Sequence, residues 1–423
     1  MNKSTWKNTD NYAQYVQYLE IRDTWKEYYR GINVIDALAI EIVNLYVINQ
    51  KPTWYHVGCE LFKRLDTKIL KHAFSQAKTI CTFNASKRQD HRQLSHLIQS
   101  SIEDSVWVEL KYTYSPFGVF FAFIRAFFQL NKHIHLSYVQ RCYLAACIAA
   151  YKKNIDVLSC EFRNANLEGH KLIPFSATTY YEALITLFFQ TKGVETYTTF
   201  HGILGHYRQH ITNDVVTGLN ILSQYALAFS EEQKSDLITH FGIAPEKIQI
   251  AGNPKYPYRD IKYGRGGKKC LILSGVSYYD NDIRQLLPIV EAIGDELRVE
   301  FFVKPHPSSL LSDEDISHYR NIHMIDKTNT IHQLLSSGEY KIAITHNTTA
   351  YYECMYYGVR PLRWGLNENL DFKTLDDKFT TYEELKKAIL SDDDAKYLQE
   401  AQQLLVEVLG IGINRYNEII NKK

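Results

Sequence analysis

The 423-residue sequence has no surplus of either charge, since 48 Lys and Arg face 47 Asp and Glu. This balance argues against nucleic acid as the main partner, because a protein that binds nucleic acid usually carries a basic excess. A hydrophobic fraction of 45% and a charged fraction of 22% are ordinary for globular proteins and predict a sizeable core. The length predicts two or three domains rather than one.

Paired cysteines and metal-binding clusters are also missing. The seven cysteines are scattered and form no Cys-x-x-Cys pair, and no group of histidines and cysteines has the spacing of a metal site. Such cysteines are typical of reduced thiols in a cytosolic protein, and we expect no bound metal or other cofactor. The acidic triplets Asp280-Asn281-Asp282 and Asp313-Glu314-Asp315 resemble a metal-binding Asp-x-Asp, but both lie beside predicted helix starts, where capping explains them better.

Long apolar runs are absent. The first residues contain no apolar signal-peptide core, and no run reaches the ~18 apolar residues needed to span a bilayer. The nearest is residues 117–130, which Arg125 interrupts. We expect this stretch to form a buried helix, with docking on a membrane surface or a lipid acceptor as the alternative. The expected location is the cytoplasm, either free or peripheral at the inner face of the plasma membrane.

From residue 155 onward, apolar runs alternate with helical periodicity, whereas residues 1–150 show no readable alternation. Alternation of this kind predicts parallel βα units. In the first half we interpret as strands residues 155–160, 172–176, 195–200, 225–230 and 247–251, and as helices residues 180–190 and 231–241, the second capped by Ser230. In the second half the predicted strands are residues 270–274, 299–303 and 341–345, and the predicted helices are residues 282–293, 331–336 and 348–357.

The predicted fold is α/β, with two Rossmann-like domains whose parallel sheets face a central cleft. Prolines, glycines and basic residues concentrate in residues 255–268, which we interpret as a linker. It separates an N-terminal Rossmann-like domain (1–254) from a C-terminal Rossmann-like domain (269–394), and a long helix (395–423) follows. Because open α/β sheets bind ligands at the carboxyl ends of their strands, the cleft is the expected site.

The first motif, Lys304-Pro305-His306-Pro307, follows a predicted strand. An imidazole held between two prolines is rigidly aimed and can donate a hydrogen bond to a phosphate oxygen, while Lys304 adds positive charge. The alternative is a turn histidine without a functional role. We predict that His306 is both a donor-binding and a catalytic residue.

The second motif is His346-Asn347-Thr348-Thr349, where a predicted strand passes into a helix. Backbone N–H groups at a helix start attract anions, and the hydroxyls of Thr348 and Thr349 add donors. Glu353, farther along this helix, has a carboxylate suited to the two ribose hydroxyls. The alternative is that both threonines only cap the helix. Further predicted donor-binding residues are Gly275 and Ser277, which follow strand 270–274. Asn347 is an additional candidate for the site.

The third motif, His201-Gly202 with Gly205 nearby, follows a predicted strand in the first half. Glycines let a loop approach a ligand closely, and His201 is a candidate general base or phosphate contact. A structural histidine is the alternative. Gly202 and Asn253 are additional candidates. Neither a GxxxxGK[ST] loop nor a GxGxxG after a strand is present, which excludes a P-loop kinase.

The order and spacing of these motifs, over about residues 156–361, resemble bacterial surface-polysaccharide glycosyltransferases of the GT-B type. The sequence is similar above all to CDP-glycerol glycerophosphotransferases, capsule β-Kdo transferases and bacterial sialyltransferases. The matching pieces are His201-Gly202, the run from Ser230 to Pro254, Lys304-Pro305-His306-Pro307, the Thr348-Thr349 pair with Glu353, and Gly358-Val359-Arg360-Pro361.

The resemblance implies a GT-B-like fold, with an acceptor-side first domain and a donor-binding second domain, in an enzyme of capsule or lipopolysaccharide biosynthesis. We expect this enzyme to be metal-independent, because the sequence has no well-placed Asp-x-Asp. Such an enzyme transfers a sugar, or a sugar-like or glycerophosphoryl unit, from a CMP-, CDP- or UDP-linked donor to a surface glycan or glycolipid. By resemblance, His306, Thr348 and Thr349 contact the donor phosphate and Glu353 its ribose.

The sequence also departs from these families. The sialyltransferase Asp/Glu-Asp/Glu-Gly motif is missing, with only Leu167-Glu168-Gly169 as a partial match, and the glycerophosphotransferase Ser-Ser pair is Thr348-Thr349 here. The donor sugar and the catalytic base therefore stay open. So do two alternatives, an isomerase like UDP-GlcNAc 2-epimerase and a non-catalytic sugar-nucleotide-binding protein.

Overall fold

A computed structural model describes residues 9–84, 89–203, 206–207, 211, 217–263, 268–391 and 395–422. The chain forms two compact units. The first comprises Met1–Lys255 together with Ile413–Lys423, and the second comprises Tyr256–Gly412.

The first unit is built on a six-stranded sheet in which all neighbouring strands are parallel. The order across the sheet is β2-β1-β3-β4-β5-β6. The strands are β1 (Thr79–Asn84), β2 (Ser105–Leu110), β3 (Lys171–Pro174), β4 (Glu195–Thr198), β5 (Tyr225–Ala228) and β6 (Ile248–Ile250). Short antiparallel pairs join Tyr28–Tyr29 with Ile32–Asn33 and Lys63–Leu65 with Tyr112–Tyr114, and His206–Tyr207 is a further short strand.

Helices pack around this sheet. They are Tyr12–Thr24, Val34–Ala37, Ala39–Tyr46, Trp54–Phe62, Thr67–Gln76, Gln89–Ser100, Phe120–Leu130, Tyr138–Glu161, Tyr180–Gln190, Glu231–Thr239 and Tyr416–Ile420, with a 3-10 turn at Pro245–Lys247. The predicted cap at Ser230 is confirmed, because its side chain accepts a hydrogen bond from the Gln233 backbone N–H.

The second unit also contains a six-stranded, all-parallel sheet, in the order β9-β8-β7-β10-β11-β12. The strands are β7 (Lys269–Ser274), β8 (Glu300–Lys304), β9 (Ile322–Met324), β10 (Ile342–His346), β11 (Arg360–Trp364) and β12 (Lys378–Phe379). The other elements are the helices Asp280–Leu297, Asp313–Ile316, Ile331–Ser336, Ala350–Tyr356, Tyr382–Leu390 and Ala395–Leu409, the 3-10 turn Ser277–Tyr279 and the short strand Leu370–Asp371.

Both faces of the second sheet are buried. Ile272 of β7 belongs to a core shared with helix Asp280–Leu297, whereas its neighbour Leu271 belongs to a core shared with helix Ala350–Tyr356. Helices on both faces and the strand order 3-2-1-4-5-6 are the features of a doubly wound sheet. The predicted α/β fold with two Rossmann-like domains is confirmed.

Three local predictions differ from the structure. The apolar run 155–160 lies inside helix Tyr138–Glu161 instead of forming a strand. The helix predicted for residues 348–357 begins only at Ala350 and ends at Tyr356. Residues 117–130 do form a helix (Phe120–Leu130), but its aromatic side chains are largely exposed rather than buried.

The C-terminal residues form two helices instead of the single helix predicted for 395–423. Helix Ala395–Leu409 ends where Gly410 and Gly412 adopt φ values of +66° and +74°, which glycine tolerates and other residues rarely adopt. Helix Tyr416–Ile420 then packs in the first unit. Of the predicted linker, residues 256–263 belong to the second unit, and residues 264–267 lie outside the described residues.

Candidate functional site

The strands β7, β8 and β10 end at the same edge of the second sheet. Ser274 pairs in register with His346, and Leu273 pairs with Lys304. The strands that follow β7 in the chain, β8 and β9, lie on one side of it, whereas β10, β11 and β12 lie on the other side. The direction in which strands are added to the sheet therefore reverses between β7 and β10. In doubly wound sheets this reversal opens a crevice at the carboxyl ends, where ligands bind.

Gly275 lies where the segments that follow β7 and β10 approach each other closely. Its backbone N–H donates to the His346 carbonyl oxygen over 2.9 Å. A Cβ at this position would lie 2.5 Å from the carbonyl oxygen of Asn347, which is backbone and cannot move aside cheaply. Only glycine fits here, because the segments after β7 and β10 approach each other so closely.

His306 follows β8 and is held in a defined orientation. Its Nδ1 atom accepts the Ser308 backbone N–H over 3.2 Å and lies 2.8 Å from the Ser308 hydroxyl. The backbone N–H of His306 donates to the Ser274 hydroxyl over 3.3 Å. The backbone N–H of Ser277 donates to the Ser308 hydroxyl over 3.3 Å. Because Nδ1 accepts a hydrogen bond, the neutral ring carries its proton on Nε2, which is then a donor.

Lys304, the last residue of β8, is buried. Its Nζ atom donates to the carbonyl oxygens of Pro305 (3.4 Å) and Lys327 (3.2 Å). Burial lowers the pKa of this ammonium group, and the nearby Asp326 opposes that effect. The side chain therefore links the loop that contains Pro305 to the loop that contains Lys327, in addition to carrying a positive charge.

His346, at the end of β10, was not singled out as a site residue by the sequence analysis. It is 1% exposed, with Nδ1 at 2.9 Å from the Trp364 carbonyl oxygen and Nε2 at 3.1 Å from Oδ2 of Asp282. Asn347 follows at a φ of +48° and accepts the Asn369 backbone N–H through its Oδ1 atom over 2.7 Å. This network fixes the backbone immediately before Thr348. A histidine directly after a buried apolar strand was the signal available in the sequence.

The carboxylates of the first acidic triplet bind side chains and backbone from elsewhere in the unit. Asp280 accepts the Ser309 hydroxyl and the Leu310 backbone N–H, each over 2.7 Å. Asp282 accepts Asn367 Nδ2 over 2.8 Å and contacts His346. Both residues lie in the first turn of helix Asp280–Leu297, as predicted, but their carboxylates anchor the loops of the crevice.

The second triplet does cap a helix. Asp315 accepts the backbone N–H of Ser312 over 2.9 Å in a capping box, and it pairs with Arg284 over 2.8 Å. The capping interpretation is confirmed for this residue.

Thr348 and Thr349 lie between β10 and the seven-residue helix Ala350–Tyr356, and both are half-buried. The Thr348 hydroxyl accepts the Ala350 backbone N–H over 3.3 Å, which is a local capping bond. Glu353 accepts the hydroxyl of the buried Tyr256 over 2.8 Å, so its carboxylate is held by the neighbouring segment. The pair and Glu353 thus belong to the same unit as His306, and their proposed roles remain predictions.

In the first unit, His201 follows β4 and is half-buried. Its ring centroid lies 5.0 Å from that of His91, with the planes tilted by 40°. Gly202 accepts Gln233 Nε2 at its carbonyl oxygen over 3.2 Å. Gly205, the second glycine of this motif, lies outside the described residues.

Gly252 and Asn253 have a packing function in the first unit. A Cβ on Gly252 would lie 1.8 Å from the carbonyl oxygen of Ile413, and the Gly252 carbonyl oxygen accepts the Tyr416 hydroxyl over 3.0 Å. Asn253 is buried, and its side chain accepts the Lys255 backbone N–H over 3.1 Å. These contacts make room for the returning C-terminal segment.

Glu182 is a buried carboxylate at the carboxyl ends of β1 and β3 that the sequence analysis did not single out. It accepts the backbone N–H groups of Phe175 (3.0 Å) and Ser176 (3.3 Å) and the Thr82 hydroxyl (3.3 Å). Burial raises its pKa to about 8, although these hydrogen bonds oppose the shift.

A metal site, a disulfide and a membrane span each require particular side chains or helix lengths in the part of the chain that the structure describes. None of these residues forms a group of three or more His, Cys, Asp or Glu side chains able to hold a metal ion. All seven cysteines are free thiols. No helix in the described part of the chain has the length and apolar character needed to cross a membrane.

Comparisons with known proteins give structural neighbours only. No family model and no curated protein matches the sequence. Among solved structures, the chain is similar to UDP-GlcNAc 2-epimerase from Neisseria meningitidis bound to UDP-GlcNAc, with 13% identity, 81% of this chain and 98% of that chain covered, and a TM-score of 0.47. It is likewise similar to S. aureus MnaA with UDP, with 13% identity, 82% of this chain and 95% of that chain covered, and a TM-score of 0.47. For the glycotransferase of kitacinnamycin the identity is 11%, the covered shares are 82% of this chain and 98% of that chain, and the TM-score is 0.46. At such identities, a functional conclusion has to come from the residues of the site.

Proposed function

We propose that the protein is a glycosyltransferase that binds a nucleotide-activated donor in the crevice at the ends of β7, β8 and β10. The observation that supports this most directly is the orientation of His306. The Ser308 backbone N–H donates to Nδ1, so the neutral ring carries its proton on Nε2. A ring N–H donor in a segment at the carboxyl edge of a doubly wound sheet suits an anionic phosphate oxygen.

The remaining residues are proposed to bind the rest of the donor. Gly275 permits close approach of the backbone, and Ser277, Thr348 and Thr349 supply hydroxyls and N–H groups for phosphate oxygens. Glu353 is proposed to bind the ribose, and Asn347 to hold the loop from which the threonines follow. Lys304 contributes positive charge from a buried position.

In the proposed reaction, the bond between the donor carbon and the phosphate oxygen breaks, and an acceptor hydroxyl oxygen bonds to that carbon. The acceptor hydroxyl loses its proton to a base, for which we propose His201. The negative charge that develops on the leaving phosphate is stabilised by His306. The acceptor class we propose is a bacterial surface glycan or glycolipid, and the phosphate charge is proposed to be met without a metal.

A second candidate function is epimerisation of a nucleotide-linked sugar. An epimerase has to remove and return a proton on carbon, which requires carboxylates or other bases at the reacting carbon. The two functions differ in their products, because only transfer releases the nucleotide.

Incubation with CMP-, CDP- and UDP-linked donors tests the proposal through release of free nucleotide. A transferase releases nucleotide, faster with acceptor present, and continues to do so in EDTA. Nucleotide release that stops in EDTA and returns with Mg²⁺ would contradict the proposed metal independence but not the proposed transfer. Deuterium exchange into the sugar of an intact UDP-sugar, without nucleotide release, would instead show an epimerase. Binding without either reaction would show a non-catalytic binding protein.

A further inference from the structure

Helix Phe120–Leu130 presents an aromatic face to solvent. Phe120, Phe121 and Phe128 are 65%, 87% and 65% exposed, whereas Ala126 and Leu130 on the opposite side are buried. Phe121, Ile124 and Phe128, all exposed, recur at the three- and four-residue spacing of one helix face. Rings of this size seldom stay in water together unless something covers them.

The face continues onto two neighbouring helices. Trp54, at the start of helix Trp54–Phe62, contacts Tyr138 with ring centroids 5.9 Å apart, and Tyr138 contacts Phe127 at 5.6 Å. Phe127 in turn contacts Phe128 at 5.7 Å. We call the exposed residues of this region the aromatic surface, and they are Trp54, Tyr55, Phe117, Phe120, Phe121, Phe128 and Tyr138.

The chain segment that carries most of the aromatic surface contains basic but no acidic residues. Residues 110–155 contain no Asp or Glu, but they contain six basic residues, namely Lys111, Arg125, Lys132, Arg141, Lys152 and Lys153. Arg125 and Lys132 are exposed on the aromatic helix and just after it, and Lys51 is exposed three residues before Trp54. Glu60 of helix Trp54–Phe62 is paired with Lys63 over 2.9 Å.

We infer that the aromatic surface docks on the face of an anionic lipid bilayer. Aromatic rings favour the boundary between headgroups and acyl chains, and exposed Arg and Lys beside them attract anionic headgroups. An eleven-residue helix is too short to cross the membrane, so the helix lies in the plane of the surface. The inference does not rest on the proposed glycosyl transfer, because membrane docking is measured without a nucleotide.

Co-sedimentation of the full chain with vesicles tests this inference. Vesicles of phosphatidylcholine with phosphatidylglycerol should bind the protein, vesicles of phosphatidylcholine alone should bind it far less, and added salt should weaken binding. The Phe120→Ser/Phe121→Ser variant should lose most of this binding. Arg125→Gln/Lys132→Gln should weaken it about tenfold or more.

Leu390→Ser is the matched control, because Leu390 is an exposed apolar residue (63%) at the end of a helix in the second unit. It should bind vesicles like the wild type. Since all the substituted side chains are exposed, each variant should keep the wild-type unfolding midpoint. Absence of binding to anionic vesicles would overturn the inference, and so would an equal loss in Leu390→Ser. A concentration-dependent dimer that Phe120→Ser/Phe121→Ser abolishes, without vesicle binding, would show a protein interface instead.

Discussion

The Nε2 atom of His346 lies 3.1 Å from Oδ2 of Asp282, and both side chains are buried. Oδ1 of Asp282 accepts Asn367 Nδ2 over 2.8 Å, so one carboxylate serves two partners. His346 ends β10, directly before Asn347 and the two threonines. The pair therefore links helix Asp280–Leu297 to the segment on which the proposed donor site depends.

Asp282→Ala should destabilise the protein. Removing the carboxylate leaves Asn367 Nδ2 without the acceptor that Oδ1 supplies. Losing a hydrogen bond to a charged group should lower the free energy of unfolding by about 1.5–3 kcal/mol. Urea unfolding measures this value. The control Asp295→Ala removes an exposed pair with Arg320 and should cost less than about 1 kcal/mol. Equal effects would contradict a special role for the buried pair.

Gly275→Ala should damage both the fold and the nucleotide site. The new Cβ would lie 2.5 Å from the Asn347 carbonyl oxygen, so the segments after β7 and β10 have to separate. Overpacking of this kind should cost about 1–3 kcal/mol of stability, and nucleotide affinity should fall about tenfold or more. Gly58→Ala is the control, because a Cβ there meets nothing within 4 Å. Unchanged affinity in Gly275→Ala would show that the nucleotide binds elsewhere.

His201→Ala should slow turnover without weakening nucleotide binding. If His201 takes the acceptor's proton, its removal should lower kcat by about 10²–10⁴-fold. The acidic limb of the pH–rate profile should also disappear, because that limb reports the protonation of the base. Steady-state kinetics with a competent donor measures both effects. A near-normal kcat in the variant would show that His201 has a structural role. Loss of nucleotide binding would show that His201 contacts the donor instead of the acceptor.

Stability should fall as pH rises from about 5 to 8, in part because of Glu41 and Glu182. Burial raises the pKa of each to about 8 from an ordinary value of 4.5. Between these values the folded state holds protons that the unfolded state has released, so the free energy of unfolding decreases with pH. Glu41→Gln/Glu182→Gln should flatten the pH dependence, whereas the exposed Glu20→Gln should leave it unchanged. If the free energy of unfolding of the double variant depended on pH as steeply as that of the wild type, the raised pKa values of Glu41 and Glu182 would be contradicted.

Much of the fold could be predicted because the chain after residue 170 has short, clearly bounded elements. Helix Tyr180–Gln190 and helix Ile331–Ser336 have the predicted bounds, and the predicted strand 270–274 differs from β7 by one residue. The apolar run 155–160 was interpreted wrongly, because an isolated apolar run fits a strand and a buried helix equally well. In helix Tyr138–Glu161, Ile155 and Leu158 of this run are buried in the core at the three-residue spacing of one helix face.

The strands β1 and β2 were missed because they lie among aromatic-rich helices without regular alternation. At the site, the proline-flanked His306 and the strand-end threonines could be singled out because turn and hydroxyl residues after apolar runs have a local pattern. The contacts of Asp282 with His346 and of Asp280 with Ser309 could not be predicted from a local pattern, because they join residues that are 64 and 29 positions apart in the sequence. The left-handed conformation of Asn347 likewise depends on its partner Asn369.

The measurement that tests the central claim most directly is calorimetric titration of CMP, CDP and UDP into the wild-type protein and the His306→Ala variant. Loss of a donor to a charged phosphate oxygen should weaken binding about tenfold or more, while the exposed His318→Ala control should bind like the wild type. We predict that at least one nucleotide binds the wild type and that His306→Ala loses this affinity with its fold intact. Unchanged affinity in His306→Ala, or no binding of any of the three nucleotides to the wild type, would contradict the account.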